Sequence, residues 1–213
     1  MILLLMIVFA AAAGGYDPSV GDALAFERSS TEAGEWWRPL TSQLAHYDAW
    51  HLGFNVFAVV VLGSLALRLS RRATSWVLGL SLFAIPLVVV SRHPELEEFR
   101  GLSGVASALV AFVMWMRIAK SSGRIRLALL AVVVAFVGKL VFESANGTAL
   151  FSGEIASLFA TTGEAHVVVA AHAVGGLIGC LVAAISCLSP GDLSLPWSSR
   201  RFPVNAYDEG DSQ

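Results

Sequence analysis

Ser103 lies between two glycines in the stretch Phe99-Arg-Gly-Leu-Ser-Gly-Val-Ala-Ser. A serine hydroxyl is a weak nucleophile until a base takes its proton. His172, in Ala171-His-Ala-Val-Gly-Gly-Leu-Ile-Gly179, is the candidate base, since an imidazole can accept a proton and later return it to a leaving amine. Asp48, Glu143 and Glu164 fall at segment boundaries rather than beside His172, so the expected arrangement is a dyad. Acyl transfer also needs hydrogen-bond donors already in place for an oxyanion. The candidates are the Ser103 backbone N–H and the side chains of His51 and Asn55, with Gly101 and Leu102 adjoining the serine. His51 and Asn55 are four apart and share a helix face, and His46 lies about one turn further out. Each signal has a plainer reading alone. A single membrane histidine can serve as an interhelical hydrogen bond, and a Gly-x-Ser-Gly can be a packing motif with an incidental hydroxyl.

The elements that must hold these residues are membrane spans. The 213 residues are 56% hydrophobic and 14% charged, with a mean hydropathy of +0.69. A soluble domain is about 25% charged, so a soluble globular fold is excluded, and a disordered chain still more so. A net charge of −2 gives no basic field for nucleic acid. Six apolar runs, at 1–15, 46–67, 74–91, 102–119, 125–143 and 165–189, meet wholly or partly the length a membrane crossing needs. The first is short and lacks the basic leader of a secretory signal; it reads as a first span whose beginning is outside this chain. One set of loops carries Arg68, Arg71, Arg72, Arg117, Lys120, Arg124, Arg126, Arg200 and Arg201. The other carries Arg28, Arg38, Arg92 and Arg100 together with most of the acids. Basic loops stay cytoplasmic, which puts both termini inside and the loops at 16–45, 92–101 and 144–164 outside. The expectation is an all-α integral membrane protein, a six-transmembrane-helix bundle forming one domain over 1–189, with a short polar tail over 190–213.

Depth links the polar clusters. The second, fourth and sixth spans run from outside to inside. At about 1.5 Å per residue, His51, Ser103 and His172 each lie within about two turns of the outer end of their helix. Polar groups at one depth on three such helices can converge in an outward-facing cavity. Ala171, Gly175, Gly179 and Ala183 form a small-residue stripe that lets helices approach closely, and Gly104 offers a matching small face beside the serine. In the first outer loop Trp36, Trp37, Tyr47 and Trp50 are expected at the membrane boundary. Arg38 reads equally as a headgroup anchor or as part of the loop's structure. Arg100 reads as an anchor or as a site for an anionic group. Cys180 and Cys187 read as packing residues.

At these residues the sequence resembles the rhomboid family of intramembrane serine proteases, over roughly 36–183. The family's Trp-Arg is similar to Trp37-Arg38. Its His-x4-His-x3-Asn matches His46, His51 and Asn55, its Gly-x-Ser-Gly matches Gly101 to Gly104, and its Ala-His-x2-Gly-x3-Gly matches Ala171 to Gly179. The resemblance implies the six-helix rhomboid core, Ser103 as nucleophile, His172 as base, His51 and Asn55 stabilising the oxyanion, and a first outer loop lying partly in the membrane. The stretches Trp-Trp-Arg-Pro-Leu-Thr and Phe-Arg-Gly-Leu-Ser-Gly look like the rhombosortase branch. That branch implies a bacterial inner-membrane enzyme with its site facing the periplasm. It also implies membrane-anchored substrates whose C-terminal signal joins a Gly-Gly region to a membrane helix. Where some rhomboids carry a polar residue before the histidine, this chain has Val167-Val-Val-Ala-Ala171.

Two other classes compete. Four histidines on two spans, His46 and His51 with His166 and His172, can ligate haem iron in an electron carrier, but that leaves Ser103 and Asn55 without a role. A non-catalytic rhomboid relative that binds membrane helices would usually lack the serine or the histidine. A transporter would show inverted repeats and paired broken spans, and here only Pro86 interrupts a span. No cofactor, metal or nucleic acid is expected.

Overall fold

Each of the six apolar runs is a helix in the computed structural model, which describes residues 1–16, 18–47, 49–146 and 165–188. The chain opens with α1 (Ile2–Tyr16), then folds the loop that follows into short pieces: α2 (Pro18–Leu24), β1 (Phe26–Glu27), α3 (Arg28–Glu32), α4 (Arg38–Thr41) and a 3₁₀ turn (Ser42–Leu44). Then come α5 (Ala49–Leu69), α6 (Arg71–Arg92), β2 (Glu98–Phe99), α7 (Ser103–Lys120), α8 (Gly123–Asn146) and α9 (Ala165–Leu188). Four of these, α5, α6, α7 and α9, are long and apolar enough to cross a membrane; α1 contributes a shorter apolar helix, Ile2–Ala12. The expected tail, residues 147–164 of the expected third outer loop with Glu164 among them, and Asp48 lie outside the described residues.

The links are short where the helices must turn back. Only Ser70 separates α5 from α6, and its hydroxyl accepts from the Ala73 N–H at 3.2 Å, capping α6. Such a side-chain acceptor satisfies one of the donors that a helix start leaves open. α7 stands at the centre of the bundle. Its Leu102 lead-in, Val105, Ala108, Leu109, Phe112 and Met116 are all fully buried, and it packs against α9 above all, then against α5 and α6. Large apolar residues facing away from this core, such as Phe57, Phe83, Leu177 and Leu181, are exposed, as lipid-facing positions must be.

Two details depart from the sequence reading. The second span begins at Ala49 rather than at His46, so His46 sits ahead of the helix, in the segment after the 3₁₀ turn. The all-α fold also contains one antiparallel strand pair, with Phe26 opposite Phe99 and Glu27 opposite Glu98. Two residues per strand are too few for a period-two pattern to register. The pair joins the loop before α5 to the segment that leads into Ser103.

Candidate active site

The approach to Ser103 is set by two glycines. Gly101 adopts φ +110°, a conformation that side-chain-bearing residues rarely take. Its N–H donates to the Ser42 carbonyl at 3.1 Å. A Cβ at Gly101 would stand 2.9 Å from Cε1 and 3.1 Å from Nε2 of His51, so the imidazole of His51 occupies the space that a side chain would need. Leu102, fully buried, then leads into α7, whose first residue is Ser103. A helix start presents unsatisfied N–H groups and the positive end of the helix dipole. Ser103 is half-buried, and its own carbonyl accepts from the buried Ser107 hydroxyl at 2.9 Å one turn below.

Gly104 brings α9 in. A Cβ there would meet the Ala171 carbonyl at 3.2 Å and Ile85 at 3.0 Å. Ala171 is fully packed and is followed by His172, half-buried with its Nδ1 out of reach of solvent. The two helices therefore meet between the residue after Ser103 and the residue before His172. Below it the small stripe continues. A Cβ at Gly175 would fall on the Gly104 carbonyl, and one at Gly179 on the Ala108 carbonyl, each well inside van der Waals contact.

The α5 side is equally ordered. Asn55 is buried and donates from Nδ2 to the His51 carbonyl at 2.8 Å, one helical turn back. His46 is buried, its Nδ1 3.2 Å from the Leu44 carbonyl and its ring edge-on to His51 at 5.1 Å. Tyr47 stacks on the other side of His51 at 5.9 Å. Arg100 lies over the Tyr47 ring at 5.3 Å and pairs with Asp22 at 2.9 Å and with Glu98. Burial opposes its charge, but the bond to Asp22 and the nearby Glu98 outweigh it and raise the guanidinium pKa. The structure thus brings together Gly101, Leu102, Ser103, Gly104, His51, Asn55, His46 and the α9 stripe. His166 has no described side chain.

A rhomboid domain model matches residues 33–189. The chain belongs to the rhomboid family. No curated protein matches it. Rhomboid membership, with the apolar helices, suggests a multi-pass membrane protein and an intramembrane serine protease acting on membrane proteins within the bilayer.

In this rhomboid the loop between α1 and α5 is a built object. Trp37 and Arg38 bond to carbonyls of that loop. Arg38 is only 8% exposed. Its Nη1 donates to the Asp22 and Ala25 carbonyls at 2.6 and 2.9 Å, and its Nε pairs with Glu35. Of the two readings for Arg38, the structural one therefore holds. Trp37 donates from Nε1 to the Ala23 carbonyl at 3.1 Å while half its surface stays open. Both fold α2 back onto α4. Among the described residues no three His, Cys, Asp or Glu side chains gather as a metal site. The haem reading placed His46 and His51 on one span, and His46 stands ahead of α5. The sequence reading missed Ser42, which fixes Gly101, and Gln43, which enters α6. Only Pro86 hinted at the second, because a proline inside a helix leaves a carbonyl to be filled.

Proposed function

We propose that this rhomboid is an intramembrane serine endopeptidase with a Ser103–His172 dyad. The supporting observation is the backbone contact between Gly104 and Ala171, which holds the residues flanking Ser103 and His172 at one level of the α7–α9 seam. In the proposed reaction His172 takes the Ser103 proton as Oγ attacks the scissile carbonyl. The tetrahedral oxyanion is held by the Ser103 N–H with the side chains of His51 and Asn55. His172 then protonates the leaving amine, and water hydrolyses the acyl-enzyme. Removing a single oxyanion donor of this kind typically costs about 3–4 kcal/mol of transition-state stabilisation. Leu102 and Gly101 shape the turn that presents the serine, and Gly175 and Gly179 keep α9 close enough for the histidine to reach it.

The same reading has six spans in one membrane domain over 1–189, both termini cytoplasmic, and the site open to the outer face. The charge distribution supports that orientation. Among the described residues the ends of α5 and α7 and the starts of α6 and α8 carry Arg68, Arg71, Arg72, Arg117, Lys120, Arg124 and Arg126 and no acid, while seven acids lie between 22 and 98. We further propose membership of the rhombosortase branch, in a bacterial inner membrane, acting on exported proteins with a C-terminal Gly-Gly and membrane-helix signal. The test is labelling of the solubilised protein by a fluorescent fluorophosphonate. Wild type should label, and Ser103→Ala and His172→Ala should lose at least about 10³-fold in rate, as when other serine hydrolases lose a member of the catalytic set. His51→Ala and Asn55→Ala should keep residual labelling. Equal labelling of wild type and Ser103→Ala would sink the mechanism.

A further inference from the structure

Pro86 stands inside α6. Proline has no N–H to offer, and its ring crowds the preceding turn, so the carbonyl four residues back loses its helical donor. That carbonyl belongs to Leu82, well within a span, where an open backbone acceptor is costly. Gln43 comes from the 3₁₀ turn of the outer loop to meet it. Its Nε2 donates to the Leu82 carbonyl at 3.0 Å and to the Ser81 carbonyl at 3.2 Å, and its side chain is fully buried. A buried amide N–H is itself expensive without an acceptor, so Nε2 and the Leu82 carbonyl answer each other's need, while Oε1 is buried with no partner among the described residues.

The turn that carries Gln43 is fastened on two further sides. Thr41 donates from Oγ1 to the Leu24 carbonyl at 2.7 Å, which ties it to α2. The Ser42 carbonyl accepts the Gly101 N–H at 3.1 Å, which ties it to the lead-in of α7. Gly101 in turn carries the imidazole of His51 against its Cα and precedes Ser103 by two residues. We infer that Gln43 is a positioning residue. By bonding the carbonyls opened at Pro86 it fixes the turn whose Ser42 carbonyl orients Gly101, and so sets how Ser103 and His51 face each other. It touches no reacting atom. Its effect on rate rests on the reading of Ser103 as nucleophile, whereas its effect on the Gly101 amide does not.

The experiment compares wild type, Gln43→Met, Pro86→Ala and the double variant in detergent, with Ser103→Ala as the labelling control. Methionine keeps the length of the side chain and removes the donor. Alanine at 86 restores an N–H that can bond Leu82 from within the helix. Three quantities are read well below the melting midpoints or as the midpoints themselves: fluorophosphonate labelling rate, hydrogen exchange of the peptide containing the Gly101 amide, and thermal midpoint. Gln43→Met should lower the midpoint, speed Gly101 exchange, and slow labelling by about 10- to 100-fold, the scale of a small misplacement of reacting groups. In the Pro86→Ala background the same substitution should cost less of the midpoint, because Leu82 is already bonded. Labelling and Gly101 exchange should stay impaired there, because the turn remains unfastened. A Gln43→Met protein with wild-type Gly101 exchange, or with labelling within twofold of wild type, overturns the positioning role. Equal midpoint losses in the two backgrounds overturn the pairing with Pro86. If wild type does not label beyond Ser103→Ala, the serine reading has failed instead, and exchange and midpoints alone decide the role of Gln43.

Discussion

The seam between α7 and α9 and the folded loop between α1 and α5 are held by opposite means. In the seam, Gly104, Ala108 and Phe112 face Ala171, Gly175 and Gly179, and the two backbones close on each other because almost no side chain intervenes. Between Pro18 and His46 the chain is held by polar groups reaching carbonyls: Arg38 to Asp22 and Ala25, Trp37 to Ala23, Thr41 to Leu24, Gln43 to α6. Within lipid, burial of apolar surface does not favour one helix neighbour over a lipid tail, so close van der Waals packing decides. In the loop, backbone groups outside regular helices must find partners one by one. The seam therefore depends on what is absent from it, and the loop on what is present.

The largest effect should come from adding one carbon to the seam. A Cβ at Gly179 overlaps the Ala108 carbonyl and would stand 2.9 Å from the Phe112 nitrogen. Both are backbone, so neither can swing aside and the helices must part. Overpacking of this kind costs about 1–3 kcal/mol where side chains can yield, and more is expected here. Gly179→Ala should lower the thermal midpoint sharply and abolish labelling of Ser103. Gly176, the neighbouring glycine on the same helix, has nothing within 4 Å of its Cβ position. Gly176→Ala should leave the midpoint unchanged or raise it slightly. Equal losses at 176 and 179 would show that the seam is not the source of the sensitivity.

Breaking the loop should have a smaller and more local effect. Arg38→Met removes donors from two loop carbonyls and leaves Glu35 without its partner. An unsatisfied buried acceptor costs about 1–3 kcal/mol, and part of that is recovered where water reaches the loop. Hydrogen exchange should quicken across residues 18–46 while amides of α7 and α9 stay protected. Quickened exchange in α7 and α9 as well would mean that the loop supports the bundle rather than rests on it.

The seam was legible in the sequence because its code is a spacing. Ala171, Gly175, Gly179 and Ala183 recur every four residues, and the helix supplies the rest of the inference. The same holds for the pairing of His51 with Asn55, and for the helices themselves, which lie within a few residues of the apolar runs. The loop was legible only as a boundary. Its aromatics and Arg38 could be placed near the membrane surface, but its partners are backbone carbonyls, which every residue has and no sequence pattern marks. His46 was assigned to the second span for a related reason, since nothing in Ala45-His-Tyr announces that the chain is still extended there. The Gln43 contact joins residues about forty apart in the chain, and only the defect at Pro86 gave notice that some donor had to arrive.

The smallest effect should come from acid, and it can separate the two regions without a mutation. The glycines, alanines and Phe112 that close the seam carry no titratable side chain of their own. The loop is stitched to the segment before Ser103 by Arg28, which donates to the Leu96 and His93 carbonyls at 2.9 Å each, and Glu95 sits in that turn with His93 3.0 Å away. A backbone hydrogen bond, and then the bond with His93, hold the Glu95 carboxyl below its ordinary 4.5. A carboxyl that releases its proton more readily when folded adds stability above its unfolded pKa, and that increment disappears as the pH falls through the folded value. Glu95 is exposed, so the increment is slight. Exchange at residues 93–98 should be flat from pH 7 down to about 5 after correction for intrinsic rates, then quicken at lower pH. Glu95→Gln should flatten that rise, and α7–α9 protection should not change over the same range. A seam that loosens in step with the loop would mean the two regions open as one unit, which their different chemistries argue against.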